Sequence, residues 1–281
     1  MSVEPIEIAA CRDFVRRSLA EDLGWGDATV QAVIPPDAIA EGVLSAGSST
    51  VLAGLEIAIE TFRQMDPSVV VRSRRQDGDR CESGDEIAVV AGLAAPMLTA
   101  ERTALNIVRH LSGIATLTQR YVDAAGGRLV IADTRKTLPL LRPLQKYAVR
   151  VGGGENGRHG LDEGLILKAS HIRFAGGIAA AVKRARGAGP ETPVQVEIST
   201  SAHAAEALDA GASVLLFTGT SFEELRHVMQ QCRGRARVEV SGRISLERVA
   251  ELASIGADFV SIGALTDSAP AADITFELRS L

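Results

Sequence analysis

The chain has 281 residues, 46% of them hydrophobic, which suffices for a sizeable core in one large domain or two smaller ones. Its net charge of −5 argues against a broad nucleic-acid surface, so any basic site must be local. Cys11, Cys81 and Cys232 lie far apart with no CxxC spacing for zinc or a disulfide framework. No apolar run is long enough to span a membrane. The opening MSVEPIEIAA lacks the basic start and apolar run of a secretory signal, so a reduced cytoplasmic setting is the expectation.

The first hundred or so residues read as mixed α and β. Cys11–Asp22 has helical spacing, with Phe14, Val15, Leu19 and Leu23 able to share a face. Strands are expected at Glu41–Ala46, Ser68–Arg72 and Glu86–Val90, punctuated by turns such as Asp77-Gly78-Asp79 and Ser83-Gly84-Asp85. Gly54–Met65 reads as a helix, and Met97–Ala125 as a helical stretch broken near Ser112-Gly113.

The texture then changes. Apolar runs recur at Leu129–Ala132, Leu165–Leu167, Val194–Ile198, Val214–Phe217, Val238–Val240 and Phe259–Ile262. Between them lie amphipathic stretches at Thr137–Arg150, Ile178–Arg186, Ala202–Ala210, Phe222–Gln231 and Ser245–Ile255. Such alternation predicts βα units and a parallel sheet. Aromatics are only 4% of residues, and a core of Ala, Val, Leu and Ile suits helices packed on such a sheet. Six units predict an incomplete α/β barrel. An open doubly wound sheet is the rival, weakened by the lack of GxGxxG after the first strand.

In a barrel, chemistry gathers where strands end. The first strand delivers Asp133, Arg135 and Lys136. The second delivers Lys168, with His171 close behind, and the third carries Glu197. The fourth ends in Phe217-Thr218-Gly219, the fifth in Ser241-Gly242-Arg243 and the sixth in Gly263-Ala264. Arg158 follows in a glycine-rich loop, Gly152-Gly153-Gly154-Glu155-Asn156-Gly157. Arg135 and Arg158 can each grip a carboxylate or phosphate through two parallel hydrogen bonds, and Lys136 and Lys168 add compact charges. Cations gathered at strand ends point to a pocket for a small polyanion. The small residues at Ser241-Gly242 and Gly263-Ala264 would let backbone N–H groups approach a phosphate, and Arg243 would add a contact there or block it. Glu197, on an otherwise apolar strand, needs a partner: ribose hydroxyls, a divalent metal or Lys168.

At these residues the chain resembles the quinolinate phosphoribosyltransferase family, end to end. The resemblance rests on Leu19-Ala20-Glu21-Asp22-Leu23-Gly24, on Glu101-Arg102-Thr103-Ala104-Leu105-Asn106 with Leu111-Ser112-Gly113, on Asp133-Thr134-Arg135-Lys136-Thr137, and on Lys146-Tyr147-Ala148-Val149-Arg150 with Gly152-Gly153-Gly154. It implies an N-terminal α/β sandwich over residues 1–110, rejoined by 271–281, and a TIM-like barrel over 111–270. It implies a homodimer, or a higher homo-oligomer, in which Arg102 reaches into the neighbour's pocket. Quinolinate would be bound by Arg102, Arg135, Arg158, Lys168 and His171. Phosphoribosyl pyrophosphate, with Mg²⁺, would be served by Lys136, Glu197, Ser241, Gly242, Arg243, Gly263 and Ala264, and Lys136, Lys168 and Glu197 would be the catalytic groups. The product would be nicotinate mononucleotide, with CO₂ and pyrophosphate.

Departures cluster at the site. The family's GGGxNHR has Gly157 in place of its histidine, and LIKDNH becomes Ile166-Leu167-Lys168-Ala169-Ser170-His171. The Asp-Asn pair ending the fourth strand reads Thr218-Gly219, the SGG turn carries Arg243, and the glycine after the DTRKT proline is Leu140. Thr218 brings no charge to Mg²⁺. These changes raise two further functions. One is a paralogue acting on another pyridine or aromatic carboxylate, as transferase or decarboxylase, with use of the phosphoribosyl donor weakened or lost. The other is a non-catalytic dicarboxylate-binding protein.

Overall fold

The structure, a computed structural model, describes residues 7–188 and 192–281. The opening run MSVEPIEIAA lies partly outside the described residues. In chain order the elements are α1 (Ile8–Leu23), α2 (Ala28–Val33), β1 (Ile39–Ala46), β2 (Thr50–Val51), α3 (Leu55–Met65), β3 (Val70–Ser73), β4 (Arg80–Cys81), β5 (Glu86–Leu93) and α4 (Ala94–Ala125). There follow β6 (Val130–Ala132), α5 (Arg142–Val151), β7 (Leu165–Leu167), α6 (Ala169–Ala175), α7 (Ile178–Ala188), β8 (Val194–Ile198), α8 (Ser201–Asp209) and β9 (Val214–Phe217). The chain ends with α9 (Phe222–Cys232), β10 (Arg237–Ser241), α10 (Leu246–Ser254), β11 (Phe259–Ser261), α11 (Ala264–Asp267) and β12 (Ile274–Ser280). By Cα proximity it divides into two compact units. One takes the residues up to Gln119 with Pro143–Gly153 and Ser268–Leu281; the other takes Arg120–Arg142 and Gly154–Asp267.

The first unit is built on a four-stranded antiparallel sheet ordered β12-β1-β5-β3. Its core gathers Leu44, Leu55, Phe62, Ile87, Met97 and Ile274. Phe62 and Phe276 stack at 5.1 Å between centroids, and Gly42 leaves the space that the Phe276 ring fills. The N-terminus of α3 is capped from a distance, because Asp77 accepts from the N–H groups of Gly54 (2.7 Å) and Leu55 (3.0 Å). Tyr147 donates to the same carboxylate at 2.7 Å.

The break expected near Ser112-Gly113 does not occur: α4 runs unbroken through 32 residues. Ser112 Oγ accepts from Ala53 N at 2.9 Å and donates to Ala53 O at 3.2 Å. A Cβ at Gly113 would collide with Pro270 O and lie 3.1 Å from Ala272 N. The small pair marks close approach of backbone to helix. Gly113→Ala should therefore destabilise the protein: overpacking costs about 1–3 kcal/mol, against a helix-propensity gain of about 1 kcal/mol. Chemical denaturation checks this through its midpoint, and a raised midpoint would show that the helix face is open.

The second unit is a six-stranded parallel sheet ordered β6-β11-β10-β9-β8-β7. β7 through β11 pair in sequence and the last returns to the first, which is the cyclic order of a barrel with one seam, between β6 and β7. A doubly wound sheet would instead reverse direction from a central strand. At the seam side of β6, Glu155 adds one ladder step: Glu155 N donates to Ile131 O (2.8 Å) and Asp133 N to Glu155 O (3.1 Å).

The helix expected over Thr137–Arg150 begins only at Arg142. Pro139 restricts the residue before it, Leu141 N closes a turn onto Leu138 O at 3.2 Å, and Leu140 sits at φ +66°. Among the described residues Leu140 is the one non-glycine at positive φ. That conformation costs an L-residue about 1–2 kcal/mol. The short α2, α6 and α11 and the two-residue β2 and β4 carry too little periodicity to be read from sequence. Only Asp27, whose Oδ1 accepts from Val30 N at 2.9 Å, is a start signal.

Candidate active site

Because the six strands are parallel, their C-terminal ends share one edge, and the turns after them carry the expected residues. The turn after β6 is fixed through Asp133. It is 2% exposed, and its Oδ1 accepts from Gly157 N at 2.9 Å. A Cβ at Gly157 would stand 2.8 Å from Asp133 O, so the bare position lets the glycine-rich loop close onto this turn. Restoring a histidine there would push against backbone.

Two guanidinium groups meet at this junction. Arg135 Nε is buried without a hydrogen-bond partner among the described residues. Arg158 donates from Nη1 to Gly164 O at 3.4 Å. Burial holds its guanidinium below the usual arginine range, and the charge of Arg135 adds to the effect. Like charges brought close together around an unsatisfied buried donor are costly unless an anion joins them. Arg158 also borders a cavity of about 470 Å³ together with Leu161, Leu165, Leu167, His171 and Arg184. Lys168 stands exposed at the turn into α6. Its backbone N–H donates to His171 Nδ1 at 3.0 Å, so that ring nitrogen is an acceptor and His171 is tied to the Lys168 turn.

Glu197 enters a second cavity, of about 350 Å³, whose wall also includes Ala169, Arg173, His203, Glu206 and Thr218. Thr218 Oγ1 leans on Ile198 O at 3.4 Å, and Glu206 accepts from Ala179 N at 3.1 Å. Glu197 is thus the carboxylate of this wall not engaged at a helix start. Two positions that depart from the family pattern, Ala169 and Thr218, shape the same cavity.

A third cavity, of about 460 Å³, is bordered by Lys136, Gly242, Arg243, Gly263, Ala264 and Asp267, among others. Gly242 has φ +148° and Gly263 lies under the Lys136 side chain, with Lys136 Cδ 2.9 Å and Nζ 3.6 Å from where a Cβ would stand. The Lys136 backbone is anchored by Thr266, whose hydroxyl donates to Lys136 O at 2.8 Å. Ser241 ends β10 half-buried and is not in this wall. Arg102 lies exposed on α4, in the other unit. Of the strand-end residues, Arg158 and His171 line one cavity, Glu197 and Thr218 a second, and Lys136, Gly242, Arg243, Gly263 and Ala264 a third.

Arg142 was missed by sequence reasoning. It is half-buried, and its guanidinium donates to Thr137 Oγ1 (3.0 Å), His159 O (2.7 Å) and Arg135 O (3.5 Å). The available signal was an arginine one residue before Pro143 at the start of a helix, where a cation is misplaced for the helix dipole.

Comparison with known proteins covers nearly the whole chain. Residues 27–112 match the model of the N-terminal domain of quinolinate phosphoribosyl transferase and residues 114–277 that of its C-terminal domain. The chain is similar to the nicotinate-nucleotide pyrophosphorylase [carboxylating] of Mycobacterium leprae, 39% identical over 97% of this chain and 98% of that one. It is similar to the probable enzyme of the same name in Bacillus subtilis, 38% identical over 92% and 90% of the two chains. Among solved structures, NadC from Streptococcus pyogenes superposes with a TM-score of 0.94 at 36% identity, covering 99% of both chains.

Proposed function

The chain belongs to the quinolinate phosphoribosyl transferase family, and from that membership we propose how its residues carry the reaction. It is a pentosyltransferase that moves the phosphoribosyl group of phosphoribosyl pyrophosphate to the ring nitrogen of quinolinate, with loss of CO₂. The observation that carries the residue assignment is the junction of Arg135 and Arg158, where a buried unpaired donor and two like charges call for an anionic ligand. In this reading the pair grips the carboxylates of quinolinate, Lys168 adds a third charge with His171 steadying its turn, and Arg102 is supplied by the partner of a homodimer.

The donor occupies the remaining strand ends. Lys136 and the turns at Ser241-Gly242 and Gly263-Ala264 take its phosphates, with Arg243 at their rim. Glu197 receives the ribose hydroxyls. Among the described residues no three His, Cys, Asp or Glu side chains converge as a metal site. One carboxylate suits Mg²⁺ that arrives chelated by pyrophosphate, an ion that keeps most of its waters and substrate oxygens. Glu197 would be its protein ligand and Thr218 would add no charge.

The chemistry follows from these placements. The pyridine nitrogen attacks the anomeric carbon as the bond to pyrophosphate breaks, and fixed cations stabilise the departing charge. The ring nitrogen becomes cationic. The neighbouring C–C bond then breaks, CO₂ leaves and its electron pair stays on the ring carbon as an ylide, which takes up a proton. The protein orients two anions that would otherwise repel. The three free buried cysteines suit a reducing, cytoplasmic setting. No helix among the described residues is long and apolar enough to cross a membrane. Incubation with quinolinate, the donor and Mg²⁺ is expected to release nicotinate mononucleotide and pyrophosphate in equal amounts. Absence of both at high enzyme concentration would overturn this reading in favour of a paralogue with another substrate.

A further inference from the structure

We propose that Arg142 is a positioning residue that holds the two carboxylate-gripping arginines together, and that its loss acts far more on quinolinate than on the phosphoribosyl donor. The inference rests on the assignment of Arg135 and Arg158 to quinolinate. Three contacts carry it. Arg142 Nη1 donates to His159 O at 2.7 Å, which pins the backbone next to Arg158. Its Nη2 reaches Arg135 O at 3.5 Å and its Nε donates to Thr137 Oγ1 at 3.0 Å, which pin the other loop on both sides of Lys136. One planar group thus spans the turn after β6 and the loop that follows the glycines.

The location argues against a helix-stabilising role. Arg142 is the first residue of α5, and no acidic residue stands in that first turn. A cation at a helix N-terminus faces the positive end of the dipole. What balances the position is three acceptors on two loops. Those loops also need a tie, because the side chains they present repel each other: Arg135 helps hold the Arg158 guanidinium below its usual range. A planar fork of five donors can bridge diverging acceptors. A lysine ammonium keeps the charge but cannot span both loops with fixed geometry.

The test is calorimetric titration of Arg142→Lys, Arg142→Gln and Thr137→Val with quinolinate and with phosphoribosyl pyrophosphate plus Mg²⁺, separately, alongside kcat and KM. Loss of alignment at a binding site costs up to roughly a hundredfold. Both Arg142 variants should therefore weaken quinolinate by about ten- to a hundredfold, raise its KM more than they lower kcat, and weaken the donor far less, because Thr266 holds the Lys136 backbone independently. Thr137→Val, which removes one acceptor, should fall between them and the parent. Donor binding is the internal check of folding. Equal loss of both ligands would make Arg142 a folding residue and overturn the proposal. Unchanged quinolinate affinity in Arg142→Lys, while Arg135→Ala loses it, would overturn the proposal and leave the pocket intact. Unchanged affinity in Arg135→Ala as well would refute the pocket itself.

Discussion

Replacing Arg135 with Ala is expected to weaken quinolinate binding by roughly 2–5 kcal/mol, the range for truncating one partner of a desolvated, hydrogen-bonded charge pair. Part of that figure reflects the buried Nε, which has no hydrogen-bond partner among the described residues and is free to donate to a bound carboxylate. The same variant should be no less stable than the parent without ligand. Removing Arg135 relieves Arg158 of a like charge, and sites built for ligands carry such stored repulsion. Calorimetry and thermal denaturation of one preparation separate the two effects. Lost affinity with an unchanged or higher melting temperature is the signature of a binding residue. Lost affinity with a collapsed melting temperature would mean that Arg135 is part of the scaffold.

Lys136→Ala should strike the other half of the reaction. Its ammonium lies over Gly263 beside Asp267, in the cavity bordered by Gly242 and Gly263, apart from the walls that hold Arg158 and Glu197. If pyrophosphate leaves through that cavity, removing the charge should lower kcat by roughly 10²–10³-fold, the scale of losing one preorganised electrostatic partner. Quinolinate affinity measured alone should be nearly unchanged, because Arg135 and Arg158 are untouched. Release of pyrophosphate at the parent rate would place the leaving group elsewhere.

Much of the architecture was legible because its signals are local. The six apolar runs became six parallel strands, since short Val-, Ile- and Leu-rich segments between amphipathic stretches have little else to form. What the sequence misled on was long-range. Ser112 and Gly113 read as a helix break, yet their small size serves contacts with Ala53 and Pro270, 59 and 157 positions away along the chain. Thr137–Leu141 read as helix because its apolar spacing continues that of α5. Backbone restriction at Pro139 and the left-handed Leu140 override the pattern.

The site was legible as a set of strand-end residues but not as a geometry. Nothing in the spacing of Asp133-Thr134-Arg135-Lys136 says that the charge of Arg135 acts on Arg158 while its neighbour Lys136 lies over Gly263. That follows from Asp133 being pinned by Gly157 N and Lys136 O being pinned by Thr266. Arg142 was invisible for the same reason, as its partners are two carbonyls and a hydroxyl. Backbone acceptors leave no mark in a sequence. The departures at Ala169 and Thr218 lie 49 positions apart in the chain, and only the fold shows that they border one cavity with Glu197.

Recognition of quinolinate is assigned to two guanidinium groups, Arg135 and Arg158, that meet a pair of carboxylates on one ring. Calorimetric comparison of quinolinate with pyridine-2-carboxylate and pyridine-3-carboxylate tests it most directly. The dicarboxylate is expected to bind the parent protein far more tightly than either monocarboxylate, with the difference nearly vanishing in both Arg135→Ala and Arg158→Ala. Equal affinity for all three compounds in the parent, or an undiminished difference in both variants, would contradict it.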